Sequence, residues 1–276
     1  MNLEKIAILT CWHGKYPWYF PYFIHACSYN PTIDFYIITD NEEAILNKPV
    51  NVLIVQKKLD ELKAIANKKL GFSVSINNAY KLNDFKPAYG FIFSGIVKNY
   101  DFWGHSDLDI IYGDIRNFLN SEVLTQYDFI SLRHDYTTGC FCLYRNKKKI
   151  NTLFKNSKDY KLVLSNPQHY CFDECNFAWA ELRTGKSILE LNTPIESFTY
   201  VVKKAAINNE IKAHFDFILI EGRTGRVVFD KGKITYKKKF EAILYHLVEL
   251  KKIYSPEKVP KKIPARYCIS STRIYH

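Results

Sequence analysis

Strand-like and helix-like segments alternate over the first hundred residues. That alternation predicts an α/β fold: a three-layer sandwich around a mainly parallel central sheet. Two further observations agree. With 276 residues, 47% hydrophobic and 24% charged, the chain can bury a sizeable core and is too apolar to be disordered as a whole. No uninterrupted apolar stretch reaches roughly eighteen residues, so no membrane-spanning helix is expected.

Lys5–Trp12 is a short apolar run that reads as a buried first strand. Trp18–Tyr29 is expected to be helical, stopped by Asn30-Pro31. Ile33–Asp40 and Val50–Gln56, rich in β-branched and aromatic residues, supply the next strands. Leu59–Leu70 has apolar residues at 59, 62, 65, 66 and 70, a helical stripe, and Gly71 is a natural C-terminal stop. Tyr89–Asn99 reads as a helix and Phe102–Tyr112 as another buried strand. Asp114 is placed to cap a helix over Ile115–Leu124. Phe129–Leu132 and Cys140–Tyr144 look like strands, and Asn146–Lys158 like an exposed basic helix. From Phe217 the pattern becomes a β-meander, with turns at Gly222–Gly225 and Lys231-Gly232. Periodicity leaves Glu241–Lys252 open between helix and strand. Pro256, Pro260 and Pro264 break up the end, so the expected division is a main domain over 1–254 and a basic extension over 255–276 with little regular structure.

The net charge of +11 is uneven: Lys231–His276 carries +9 of it. A basic tail on a near-neutral body is an electrostatic surface suited to anionic lipid or nucleic acid, or else simply a solvated end. Tyr254, Tyr267, Ile269, Ile274 and Tyr275 lie among those charges, where they can dip into a membrane interface. The start lacks the basic n-region and cleavage site of a signal peptide. Seven cysteines, an odd number, fit a reduced compartment better than a disulfide framework. A cytoplasmic location is therefore expected. Cys140 and Cys142 share a strand face, and Cys171 and Cys175 have helical i, i+4 spacing. Four thiolates can hold zinc, but neither spacing is Cys-x-x-Cys, and small buried hydrophobes are the simpler reading.

The sharpest chemical feature is Asp107-Leu-Asp109, inside Phe102-Trp-Gly-His-Ser-Asp-Leu-Asp-Ile-Ile-Tyr-Gly-Asp114. Two acids one residue apart are common in surface loops. Here the pair interrupts an apolar segment, where a carboxylate is costly unless paired or metal-bound. At a strand end both can turn to one hard divalent cation, Mn²⁺ or Mg²⁺, of the kind shared with substrate phosphates.

Several short stretches together resemble one group of bacterial glycosyltransferases. They are Thr10-Cys-Trp-His-Gly14 with Pro17-Trp18, Ser28-x-Asn30, Ile33-Asp-Phe35 leading to Thr39-Asp40, and Tyr80–Gly90. Tyr100-Asp-Phe-Trp-Gly104 through Gly113-Asp114, Leu143–Asn146 and Phe172-Asp-Glu174 complete the set. The group is similar to the GT-A-fold (Rossmann-related), nucleotide-sugar-dependent enzymes that build surface polysaccharides and lipopolysaccharides, and the resemblance spans roughly residues 5–252. It implies that Asp107 and Asp109 hold the metal on the donor diphosphate, that His246 completes the coordination, and that a basic group among the following Lys251 and Lys252, taken as Lys252, meets the phosphates. It further implies that Thr10 and Asp40, at the carboxyl edge of the sheet, contact the uracil and ribose of a UDP-sugar, with Asp84 and Lys86 as donor-site residues. Asp173 or Glu174 is then the base that takes the proton of the acceptor hydroxyl in an inverting transfer. Tyr170 and Phe172 beside them can stack on a sugar face.

The expected protein is thus a metal-dependent hexosyltransferase. It would move galactose or glucose from a UDP-sugar to a glycan or lipid-linked glycan acceptor at the inner face of the cytoplasmic membrane. A metal-dependent phosphoesterase is the rival within enzymes, although the extra His/Asp cluster of a two-metal site is missing. A non-catalytic sugar-binding protein, or a nucleic-acid binder using the tail, is the rival outside them. No nucleic-acid module is recognised, so no nucleic-acid partner is expected.

Overall fold

The computed structural model describes residues 3–276. Its first half follows the expected alternation: β1 (Ile6–Trp12), α1 (Phe20–Ser28), β2 (Ile33–Thr39), β3 (Val52–Gln56) and α2 (Leu59–Leu70). Gly71 ends α2 in the left-handed region at φ 79°, and its N–H donates to Asn67 O, a geometry that glycine adopts without strain. After a 3₁₀ segment over Ala79–Ala88, two single-turn helices stand where one was expected over Tyr89–Asn99.

Phe102–Tyr112 is not one strand. It divides into β4 (Phe102–Ser106) and β5 (Ile110–Tyr112), which enter different sheets, and Asp107-Leu-Asp109 is the bend between them. β6 (Phe129–Ser131), β7 (Phe141–Arg145) and β8 (Ala213–Phe215) complete the large sheet, whose order is β3-β2-β1-β4-β7-β6-β8. Four of its six pairings are parallel, and only β7 runs against both neighbours. The fold is therefore mixed α/β with a mainly parallel central sheet, as the alternation predicts. The expected basic helix over Asn146–Lys158 is two short turns, and Ile150, Leu153 and Phe154 are buried.

The last third builds two smaller sheets from β9 (Leu219–Ile220), β10 (Val227–Asp230), β11 (Lys233–Tyr236), β12 (Phe240–Ala242), β13 (Leu244–His246), β14 (Arg266–Ile269) and β15 (Ile274–Tyr275). β10, β11 and β12 form the expected meander, while Glu241–Lys252 resolves mostly as strand. The expectation of little regular structure after residue 254 is corrected: β14 pairs with β10, and β15 closes that sheet. Tyr267, Ile269 and Ile274, expected to be available to a membrane, are buried, with Tyr267 stacked on Phe229 and edge-on to Tyr22 of α1. Burying those side chains stabilises the fold and removes them as interfacial anchors. Among the described residues, no helix is long and apolar enough to cross a membrane.

Candidate functional site

The small sheet β5-β13-β9 sets the geometry of the site. β13 lies antiparallel to β5, with His246 opposite Ile110, and parallel to β9, with Tyr245 opposite Ile220. One residue beyond each register, Asp109, His246 and Glu221 come side by side at one end of that sheet. Leu247 N–H donates to Asp109 O at 2.9 Å and fixes the alignment. His246 Nε2 is 3.4 Å from Asp109 Oδ2, and its Nδ1 is 3.1 Å from Glu221 Oε1. Asp107, Asp109 and His246 each offer a ligand atom, and those atoms lie within 4.8 Å of one another.

Lysines now hold both aspartates. Lys86 Nζ donates to Asp107 Oδ1 at 2.5 Å and to Gly139 O at 2.8 Å, and stands 3.7 Å from Asp173 Oδ2. Lys251 Nζ donates to Asp109 Oδ2 at 2.6 Å. Burial opposes ionisation of Asp109, but His246 and Lys251 outweigh it and hold the carboxyl well below the usual range. Burial likewise disfavours a charged His246, yet Cys140 and Asp109 beside it raise its pKa well above the ordinary value. Asp107, Asp109, Asp135, Asp173, Glu174 and Glu221 gather against Lys86, Lys251 and Arg133, so acid exceeds permanent cation. Two carboxylate oxygens and an imidazole nitrogen in that acidic setting fit Mn²⁺ or Mg²⁺, provided the two ammonium groups move aside.

The second half of the site is the Asp173-Glu174 pair. Gly139 N–H donates to Glu174 Oε1 at 2.8 Å, and Trp179 Nε1 donates to Oε2 at 2.7 Å. A Cβ on Gly139 would stand 2.7 Å from Asp173 Oδ2 and 2.9 Å from Glu174 Oε1, so any larger residue in this turn before β7 would push the two carboxylates from their present positions. Burial raises the pKa of both acids. For Asp173 the Lys86 ammonium opposes the rise and the Glu174 charge adds to it. Lys86 thus bridges the metal-compatible acids and this second pair.

Three of the expected residues are engaged elsewhere. Asp84 is fully buried, and its oxygens accept from Lys81 Nζ and from the backbone N–H groups of Tyr170 and Phe172. Lys252 pairs with Glu249 at the surface, and it is Lys251 that reaches the acid pair. Phe172 packs in the core against Phe198 and presents no face to a sugar. The accessible aromatics beside the acids are instead Tyr80 and Phe177, which flank His169 edge-on, with Phe177 next to Trp179. Thr10 is buried inside β1, two residues short of its end. Asp40 is exposed just past β2, and its Oδ1 accepts from Gly14 N–H. Neither joins the cluster directly. Sequence reasoning missed Glu221, Arg133 and Trp179. Arg133 binds Asp135 through two nitrogens and Glu221 through a third. Among the described residues the seven cysteines are all free, and only Cys140 joins a metal-compatible group.

Fold and site together define an α/β protein with a buried acidic centre at the bend between two sheets. Residues 8–276 match the model of a family described as "Family of unknown function (DUF6625)", and the chain belongs to that family. No curated protein matches it. Among solved structures it is similar to the galactosyltransferase LgtC, crystallised in complex with donor and acceptor sugar analogues, at 12% sequence identity and a TM-score of 0.33. The similarity covers 58% of this chain and 66% of that one, so the chain spans a little less than two thirds of its structural neighbour.

Proposed function

We propose that this chain is a metal-dependent glycosyltransferase of the GT-A type that moves a hexose from a UDP-sugar to a glycan acceptor, with inversion. The observation that carries the reading is the convergence of Asp107, Asp109 and His246 within 4.8 Å, joined through Lys86 to a second carboxylate pair, buried Asp173 and half-buried Glu174. Mn²⁺ or Mg²⁺ held by those three residues would supply positive charge against the departing diphosphate. Lys251, once released from Asp109, would supply a positive charge to the same phosphates. Of the two residues expected to meet the uracil and ribose, the exposed Asp40 would do so directly, while Thr10 is buried in β1. The Tyr80, Phe177 and Trp179 rings offer stacking faces for the acceptor, and the exposed lysines of the last segment offer contact with an anionic membrane carrying a lipid-linked acceptor.

The base is the Asp173-Glu174 pair. As the acceptor oxygen bonds the anomeric carbon and the bond to the diphosphate oxygen breaks, the hydroxyl proton passes to one of these carboxylates. Their raised pKa makes them effective acceptors, but only the deprotonated form works. kcat/KM is therefore expected to rise with pH through a midpoint above the ordinary carboxylate range. Asp173→Asn or Glu174→Gln, whichever removes the base, should cost about 10²- to 10⁴-fold and abolish that limb. A midpoint left unchanged in both variants excludes the pair as base.

The reading as a whole is tested by thermal shift with a panel of nucleotide-sugars, with and without Mn²⁺. One UDP-sugar should raise Tm in a metal-dependent way, since a ligand that binds only the native state stabilises it by mass action. No response to any uridine nucleotide at saturating Mn²⁺ rejects it.

A further inference from the structure

Directly behind the acid pair lies a second set of donors of different chemistry. Cys140, Glu221 and His246 each place a sulfur, oxygen or nitrogen within 4.8 Å of the others. Glu221 and His246 come from adjacent positions past the β9–β13 register. Cys140 comes from the residue before β7, and its carbonyl accepts from Asp107 N–H at 3.1 Å, which ties it to the acid bend. Arg133 holds Glu221 by Oε2 at 2.9 Å, leaving Oε1 turned to the imidazole. The Glu221 side chain keeps 24% of its surface and is the path inward from solvent.

A thiolate, an imidazole and a carboxylate form a donor set that hard Mg²⁺ does not select and that Zn²⁺ does. We propose that Cys140, Glu221 and His246 form a binding site for Zn²⁺ that shares His246 with the Asp107/Asp109 site. As the Zn–S bond forms, the Cys140 proton leaves to solvent. A neutral imidazole has one free lone pair, so Zn²⁺ bound at Nδ1, the nitrogen facing Glu221, leaves Nε2 protonated toward Asp109 and unable to ligate a second cation there. Zinc is then an antagonist of the hard cation at the acid pair, and this last consequence alone rests on the function proposed above.

The test uses the full chain without nucleotide. Titration with Cd²⁺, a spectroscopic stand-in for Zn²⁺, is expected to produce a thiolate-to-metal charge-transfer band that saturates at one equivalent. The band should be lost in Cys140→Ala and kept in Cys142→Ala. Absence of the band in the wild type, or its persistence in Cys140→Ala, overturns the site. If Cys140→Ala does not fold by circular dichroism, Glu221→Gln decides: a fall in Zn²⁺ affinity of about 10- to 100-fold supports the site, and unchanged affinity overturns it. A competition arm follows Mn²⁺-dependent UDP binding as Zn²⁺ is added, with suppression expected in the wild type and relief in Cys140→Ala. A charge-transfer band without any Mn²⁺-dependent UDP binding sinks the transferase reading and leaves the zinc site standing. Intact UDP binding without the band does the reverse.

Discussion

Asp109→Asn is expected to lower transfer from the UDP-sugar by on the order of 10³-fold at saturating Mn²⁺, about 4 kcal/mol in the barrier. Asp109 is the meeting point of the site: His246 lies 3.4 Å away and Lys251 2.6 Å away, while its own carbonyl anchors β13 through Leu247 N–H. The amide keeps the shape and the hydrogen bond from Lys251 but removes the charge that a divalent cation needs. The fold should survive, because Lys251 is one-third exposed and can turn to water. Asp107→Asn gives the comparison. Its partner Lys86 is buried and still has Gly139 O, so Asp107→Asn should lose activity with a weaker dependence on added metal. Rates measured across a Mn²⁺ series decide the matter. An Asp109→Asn variant that keeps full activity removes the acid pair from the reaction.

The acid pair could be found in the sequence because its cost is local. Two carboxylates inside an apolar run announce themselves in a window of a dozen residues. The same holds for β1, β2 and α2, whose periodicity and stop signals need no distant partner. What could not be read depends on pairings between segments far apart in the chain. Nothing near Glu221 marks it as functional. It joins the acid cluster because β9 lies beside β13 and the next residue along is His246. The break of Phe102–Tyr112 into two strands has the same origin, since β5 leaves the large sheet to pair with β13, about 130 residues away in the chain. Lys251 and Lys252 both follow His246 in the chain, and which of them faces Asp109 is set by one residue of register in a 3₁₀ turn, which spacing alone does not fix. The surroundings of Asp84 were hidden in the same way. A carboxylate near a motif lysine looks like a ligand-binding residue until its partners are known, and Lys81, three residues before it, proves to be one.

That buried pair makes the last prediction. Lys81→Met should cost about 3–5 kcal/mol, because it takes the ammonium from an ionised Asp84 whose side chain has no exposure to water and leaves that charge to His169 and two backbone N–H groups. At roughly 2–4 °C per kcal/mol for a chain of this size, Tm should fall by on the order of ten degrees. Lys81 Nζ also donates to Val163 O at 2.7 Å and Gln168 O at 2.6 Å, and Asp84 accepts from Tyr170 and Phe172 N–H. The pair therefore clamps the 79–88 segment, which carries Lys86, to the loop that delivers Asp173 and Glu174. His169 and Lys81 overcome burial to hold the Asp84 pKa below the ordinary carboxylate value. Its contribution to stability is accordingly full at neutral pH and lost as pH falls below about 4, through the depressed folded value. Adding Asp84→Asn to Lys81→Met removes that buried charge while keeping an acceptor for the backbone N–H groups, so the double variant should recover part of the lost Tm. Denaturation of the two variants against the wild type distinguishes the clamp from simple packing. If the double variant is less stable than Lys81→Met alone, the cost lies in lost side-chain contacts, and the two halves of the site are held in register by something other than this ion pair.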